Sequence, residues 1–539
     1  MQIDPMQLHK QSQFIYDYRN KSDQLKQFFD YMPFESGEQR VKDLEKRVFD
    51  REELVEVLRA INEQWEAPDS TYHNIERLKE DNSVVVIGGQ QAGLLTGPMY
   101  TINKIISIIQ FARQQEASLN IPVVPVFWIA GEDHDLDEIN HIYLPNQAQM
   151  KRFKLLQRGF EKHSVSHIHM DKSESNVWLN KLFEQLTETQ YTKDLYGTIK
   201  ECLDKSTTYV DFFARVIYQL FTEEGIVLID SADPKVRQLE SSHFIQLIEN
   251  QDMISKGVDT AFSQLQQKGY SLSLDVDPAD GHLFYHKNNE RILLMRNDAG
   301  EWIGKQNEVR LTTEELITIA RTHPERLSNN VVTRPLMQEL LFPSLAFIGG
   351  PGEISYWAAL KPAFHALHMK MPPVLPRLSM TYIDRNVEKS LNRFDIRAPE
   401  AVNQGVEAIK DNWLTSKSNP PVEQVADEIK VAVEKVHAPL RDIAKDIRAD
   451  LGELADKNLY YLHRDIEYLE NRIMKALQEK YAKELSEFDH INNVLRPYGG
   501  LQERIWNPLP LVNAYGTDFI KNMTNASCSF EHDHYLVHI

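Results

Sequence analysis

Apolar residues along this chain fall into two patterns, short unbroken runs and longer stretches with helical spacing. Val84–Ile87, Val123–Ile129, the GIVLID run at 225–230 and Leu345–Ile348 are unbroken. Runs of that length without polar alternation predict strands covered on both faces, as in a parallel sheet. Between the first two, Met99–Gln115 places Ile102, Ile105, Ile106 and Ile109 on one face of a predicted helix. Residues 6–80 read as mostly helical, and Pro373–Leu378 reads as a last parallel strand. Buried strands alternating with helices predict the α/β class, with strand C-termini gathered along one edge.

The pattern breaks twice before residue 384. From about 140 to 180 the stretch HSVSHIHMD alternates in places, which predicts a strand-containing insertion. Over 270–305, HLFYH, RILLMR and EWIGK are separated by turn signals and predict a small β meander. TTEELITIA then opens a helix near Thr312 with a capping signature. Beyond Asp384 helical spacing runs to about 490, interrupted at SKSNPP. Val436, Leu440, Ile443 and Ile447 repeat at 4, 3, 4, as do Leu462, Ile466, Leu469 and Ile473. Two such arms predict an antiparallel helical hairpin or coiled coil, or else a helical subdomain on the core. Pro439 would kink the first arm or mark its start. The tail is rich in turns, and HYLVHI reads as a closing strand.

Composition narrows the function classes. The chain has 539 residues and a net charge of −19. That balance argues against a nucleic-acid or anionic-membrane binder, which needs clustered Lys and Arg. The start, MQIDPMQLHKQSQF, has no apolar core of a secretory signal, and the longest apolar run is about half the ~20 residues of a membrane helix. The expected location is cytoplasmic. Cys202 and Cys528, the only cysteines, fit no CxxC or zinc spacing.

Candidate chemistry sits where strands end. VVVIGGQQAGLLTGP leaves a strand through Gly88, Gly89, Gln90, Gln91 and Gly93, and then opens a helix. Such a turn can hold an anion on free backbone N–H groups, or can be a bare βα turn that needs glycine for geometry. Leu94 and Leu95 stand where a P-loop has Lys and Ser/Thr, and G-x-G-x-x-G is absent. Lys104, one turn into the helix, could reach a phosphate or carboxylate, or could be solvated.

GEDHD places Glu132, Asp133, His134 and Asp135 directly after an apolar strand. Ionisable groups there are costly unless they face solvent or a ligand. His134 could act as a general base, with Asp133 or Asp135 orienting it. A structural network with helix caps is a second reading. A metal site on His134, Glu138 and His141, at i, i+4 and i+7, is a third, although HExxH is missing. In FIGGPGEISYWA, Gly350 and Gly352 permit close backbone approach, and Glu353 suits an ammonium group or simply the helix dipole. Tyr356 and Trp357 would flank a ligand or pack. Arg334 and Arg377 are anion partners near strand ends. Arg504, Trp506 and Asn507 form a further nucleotide-type surface, an Arg beside an indole, or else a hydrophobic plug.

Taken together, GGQQAGLLTGP, FWIAGEDHD, FIGGPGEISYWA, VLPRLS and QERIWNPLP resemble the bacillithiol biosynthesis cysteine-adding enzyme (cysteine ligase) family over essentially the whole chain. The resemblance implies a Rossmann-like core with two connecting insertions and a coiled-coil domain that makes homodimer contacts. With the pattern breaks it divides the chain into 1–139, N-terminal helices and first core part; 140–180, first insertion; 181–256, core; 257–310, β-rich second insertion; 311–384, core; 385–490, coiled coil; and 491–539, a segment returning to the core. It also implies amide formation between L-cysteine and glucosaminyl malate. A free carboxylate does not acylate an amine in water, so ATP is the expected co-substrate, with Mg2+ as an optional companion. The family core is also similar to class I aminoacyl-tRNA synthetases, but Gln90-Gln91-Ala92-Gly93 stands where those carry HxGH. Alternatives are an aminoacyl-adenylate or nucleotidyl transferase with another acceptor, and a non-catalytic coiled-coil assembly factor.

Overall fold

The computed structural model describes residues 1–35, 37–146, 149–157, 163–288 and 290–539. Its central sheet has five strands: β1 (Val84–Gln90), β2 (Val123–Ile129), β3 (Val227–Asp230), β4 (Ser344–Gly349) and β5 (Val374–Pro376). All are parallel, in the order β5-β4-β1-β2-β3. Every residue of β2, β3 and β4 is buried, as the unbroken apolar runs require. The chain moves outward from β1 through β2 to β3 and then returns to the far side of β1 at β4. This Rossmann-like reversal opens a crevice outside the carboxyl ends of β1 and β4.

Three helices bear on that crevice. α1 (Met99–Leu119) follows β1 and packs on β1 and β2, ending at Asn120 in the left-handed region. α2 (Thr333–Leu341) precedes β4, and α3 (Pro351–Trp357) follows it. The first turn needs glycine for close approach: a Cβ on Gly88 would sit 2.8 Å from the Ile348 carbonyl oxygen, and one on Gly89 2.5 Å from that of Trp128.

The insertions differ in detail from the sequence pattern. The first, part of which lies outside the described residues, carries its strands as a hairpin, His141–Asn146 with Gln149–Lys154. The alternating stretch 163–171 instead forms the short turn Val165–His167 and one bridge from His169 to Thr208. Val165 and Ile168 are both buried three residues apart, a spacing that a turn satisfies and a strand does not. In the second insertion, Asp280–Lys287, Glu290–Arg296, Trp302–Gly304 and Arg310–Leu311 form an antiparallel meander, completed by Leu327–Asn329 beside the first strand. Thr312 and Glu315 make a capping box for the helix Thr313–Thr322. The closing strand His534–His538 lies between Met380–Ile383 and the N-terminal strand Gln2–Met6, so both ends of the chain join one small sheet.

α4 (Val422–Ile447) and α5 (Ala449–Lys480) form an antiparallel hairpin. Lys430 pairs with Glu470 at 3.0 Å, and His437 meets Asn458 at 3.0 Å. Pro439 lies inside α4, which runs through it, rather than at a helix start. The apolar stripe Val436, Leu440, Ile443 and Ile447 is 56–80% exposed, and Leu440, Ile443 and Ile447 line an open groove together with Leu451, Leu454 and Tyr461 of α5. No helix of the described residues is long and apolar enough to cross a membrane.

Candidate functional site

The crevice is a cleft of about 370 Å³. The first turn contributes Gly89, Gln90 and Gln91, and α1 contributes Tyr100 and Lys104. From the second turn and α3 come Gly350, Gly352, Glu353 and Tyr356. α2 adds Arg334 and Gln338, one helical turn apart on the same face. Asp133 and Glu138 follow β2, Arg377 follows β5, and Arg504 arrives from the C-terminal segment. The parallel strands bring their carboxyl ends to one edge, and the C-terminal segment meets them there, so that Gly89 and Arg504, more than four hundred residues apart, line one cleft.

Lys104 is buried, and its ammonium is fully occupied. It donates to the Gly89 carbonyl at 2.6 Å, to Gln90 Oε1 at 3.2 Å and to Glu353 Oε2 at 2.6 Å. Burial lowers its pKa, opposed by Glu353. The same Glu353 oxygen accepts from the Gly350 N–H at 2.7 Å, so one carboxylate caps α3 and receives the lysine. This pair ties the two glycine turns across the switch point.

Behind the opposite wall lies a charged network. Arg334 donates to Glu132 at 2.8 Å and to Asp133 at 2.6 Å. Glu132 also accepts from Arg237, which donates to Glu240 at 2.6 Å. Burial opposes the charge on Glu132, but Arg237, Arg334 and Arg291 hold its pKa at about 2. Glu240 has only Arg237, and burial pushes it up to about 7. Arg291, from the second insertion, stacks 3.7 Å from the Phe284 ring centroid and reaches Asp133 at 3.3 Å. Asp133 is therefore held by arginines from two different layers.

A third cluster fixes the side where the tail returns. Arg377 makes two 2.7 Å hydrogen bonds to Glu503, which also accepts from Ser379 and Asn103 at 2.8 Å. Burial disfavours the Glu503 charge, yet Arg377 keeps its pKa near 2. Asn507 donates to the Leu95 and Gly97 carbonyls at 2.9 and 2.7 Å. It thereby clamps a turn in which Leu95 and Thr96 both have positive φ, a conformation costly for residues other than glycine.

Several residues singled out from sequence stand elsewhere. His134 is exposed, outside the cleft lining, with Nδ1 3.5 Å from Arg291. Asp135 is an exposed helix-cap residue. The shared helix face needed for a metal site on His134, Glu138 and His141 does not exist, because the helix covers only Leu136–Ile139 and His141 begins a strand. Glu132 lies under Arg334, and Gly93 is buried against Gly97. Trp357 stacks on Phe347, with centroids 4.3 Å apart, as a core residue. Trp506 is buried, its indole N–H donating to the Asn493 carbonyl, and Asn507 serves the turn. Of the four residues read as nucleotide-binding, Lys104 is occupied and Arg504 alone presents an unengaged group to the cleft. Tyr100 and Gln338 line the cleft without having stood out in the sequence. Their spacing of four from Lys104 and Arg334 is the one signal that could have found them.

Fold and site together define an α/β enzyme-type cleft at a topological switch point, completed by a helical domain. Residues 1–378 match the N-terminal Rossmann-like domain, and residues 380–539 the C-terminal coiled-coil domain, of the family described as Bacillithiol biosynthesis BshC. Proteins named "Putative cysteine ligase BshC" are similar throughout. The one from Oceanobacillus iheyensis is 41% identical, with 100% of each chain covered. That from Bacillus cytotoxicus is 40% identical over 97% of each, and that from Bacillus licheniformis 38% over 100% of each. The chain belongs to the BshC family of bacillithiol biosynthesis.

Proposed function

We propose that this protein joins L-cysteine to glucosaminyl malate through an amide bond, with ATP activating the cysteine carboxylate in the switch-point cleft. The observation that carries this reading is the cleft's mixed charge. Asp133, Glu138 and Glu353 face the same space as Arg334, Arg377 and Arg504. Carboxylates of that kind suit the amines of cysteine and glucosamine, and the cations suit carboxylates and phosphates. The names of the relatives point to the same cysteine chemistry.

The protein's own thiols stand outside this reaction, which joins a carboxylate to an amine. Cys202 and Cys528 are both buried. Burial pushes the Cys202 thiol up to about 11 and also raises Cys528, so neither is a thiolate at neutral pH. In the reaction, cysteine's carboxylate oxygen attacks a phosphorus of ATP and displaces pyrophosphate or ADP. The glucosamine nitrogen then attacks the activated carbonyl, loses a proton and expels AMP or phosphate. Asp133, Glu138 and Glu353 are the acidic residues that line the cleft, and on this reading they orient the amines. Lys104 positions both turns.

The second part of the proposal is a homodimer through the hairpin. The exposed stripe Val436, Leu440, Ile443 and Ile447, with the groove it lines beside α5, is an apolar surface of the kind a second copy covers. The deciding experiment incubates purified protein with cysteine, glucosaminyl malate and ATP. Thiol product forms only with all three, and AMP or ADP identifies the activation route. Product formed without ATP would refute nucleotide activation, and no product at all would refute the ligase reading.

A further inference from the structure

Four cations line the cleft, and three of them are committed to the protein. Lys104 is held by Glu353 and two oxygens of the first turn. Arg334 is divided between Glu132 and Asp133, and Arg377 gives both arms of its fork to Glu503. Arg504 lines the same space and, among the described residues, has neither an ion-pair nor a side-chain hydrogen-bond partner.

Its backbone, in contrast, is rigidly placed. Arg504 ends the turn Gln502–Arg504, in which Gln502 and Glu503 are buried. Gln502 accepts from the Tyr382 N–H at 2.8 Å and donates to the Tyr382 carbonyl at 2.9 Å. Glu503 is saturated by Arg377, Ser379 and Asn103. Arg504 is thus an exposed charged side chain on a fixed base at the edge of the cleft, open to an external acceptor.

Tyr100 stands beside it. Its ring lies 5.8 Å from the Arg377 guanidinium, and its hydroxyl has no hydrogen-bond partner among the described residues. The charges of Arg377 and Arg504 both act on that hydroxyl, as do those of Glu138 and Glu353. Neither carboxylate lies within ion-pair distance of Arg504, so the guanidinium keeps its full capacity for a ligand.

We propose that Arg504 and Tyr100 form an oxyanion subsite that takes a carboxylate or phosphate group of a substrate. A guanidinium fork matches two oxygens of such a group, and the phenol supplies a third donor. The subsite rests on the reading of the cleft as the ligase site, in which two sources carry this chemistry: the malyl carboxylates of the acceptor and the phosphates of ATP.

The test is calorimetric binding to the full-length protein, which does not depend on turnover. L-malate, glucosaminyl malate, pyrophosphate and the carboxylate-free methyl glucosaminide are titrated into wild type, Arg504→Met, Arg504→Lys and Tyr100→Phe. Arg504 makes no side-chain hydrogen bond or ion pair among the described residues, and melting curves confirm that each variant is folded. Loss of one charge-assisted contact weakens the bound anion by about 10- to 100-fold in Arg504→Met, with partial rescue in Arg504→Lys. Tyr100→Phe costs about 3- to 10-fold. A loss confined to malate and glucosaminyl malate assigns the carboxylate, and one confined to pyrophosphate assigns the phosphate. Methyl glucosaminide binds all four proteins alike. Equal anion binding by Arg504→Met and wild type overturns the subsite, as does wild type that binds none of the anions. Absence of thiol product from a wild type that still binds an anion through Arg504 would refute the ligase reading and leave the subsite standing.

Discussion

Lys104 Nζ lies 2.6 Å from Glu353 Oε2, so the helix behind the first glycine turn is tied to the helix behind the second. The pair closes the switch point from inside. Lys104 is 1% exposed and Glu353 27%, which makes the lysine an interior strut with its partner at the cleft wall.

Lys104→Met should therefore disturb the whole cleft rather than one ligand. Turnover falls by about 10² or more, and KM rises for cysteine and for ATP together, because misplacing both turns costs orientation. A lysine that instead grips phosphate would shift the ATP value alone. Steady-state kinetics with each substrate varied in turn separate the two outcomes.

For His134 the geometry gives a different expectation from its position in the sequence. Exposed beside Arg291 and outside the cleft lining, it should tolerate His134→Asn with less than about a tenfold change in turnover. Asp133→Asn should cost more, since Asp133 faces the cleft and holds both Arg334 and Arg291. A loss of about 10² or more in His134→Asn would restore the general acid–base role.

Stability should depend on pH through Arg237, which serves two buried carboxylates. Glu240 is raised to about 7 by burial, above its unfolded value of about 4.3. Its contribution is then fully present below the unfolded value and is lost as pH rises through 7. Asp230, also pushed up to about 7 by burial, acts in the same direction. Glu240→Gln should thus gain melting temperature relative to wild type as pH goes from 5 to 8. A variant that loses stability equally at every pH would show that the Arg237–Glu240 attraction, rather than burial, decides. Glu503 works oppositely: held near 2, it loses its contribution only as pH falls from about 4.3 toward 2.

The exposed apolar stripe of α4 gives an oligomer prediction. Leu440→Asp with Ile443→Asp puts two charges where both side chains are more than half exposed in one chain. Light scattering should report a monomer with helicity unchanged. Ile466→Asp with Ile473→Asp, of which Ile466 is half-buried against the hairpin, should lose some helicity as well. A dimer that persists in the first variant would place the contact elsewhere.

Asn507→Ala removes two hydrogen bonds from a left-handed turn. The expected cost is about 1–3 kcal/mol, seen as a lower melting temperature, together with reduced turnover because Gln90 and Gln91 begin the same turn. Unchanged values for both would show that the turn holds itself.

Local pattern was enough for the elements. Unbroken apolar runs identify β1 to β4, the glycine turns mark where strands give way to helices, and Thr312 with Glu315 announces its helix. These features are readable because buried strands, tight turns and capping boxes depend on residues within a few positions of one another. Strand order, in contrast, depends on which runs pair, and only the folded sheet puts β4 beside β1 and so creates the cleft. The same holds for charge. Lys104, Arg334, Arg377 and Arg504 look alike as residue types, yet three meet carboxylates brought from more than a hundred residues away and one does not. His134 and Asp133 are neighbours in sequence and both approach Arg291, but only Asp133 lines the cleft. Likewise, the 4, 3, 4 spacing in α4 determines an apolar stripe, while the packing of α5 leaves that stripe exposed along a groove between the arms. Periodicity sets which side chains share a face, and long-range contacts set what that face meets.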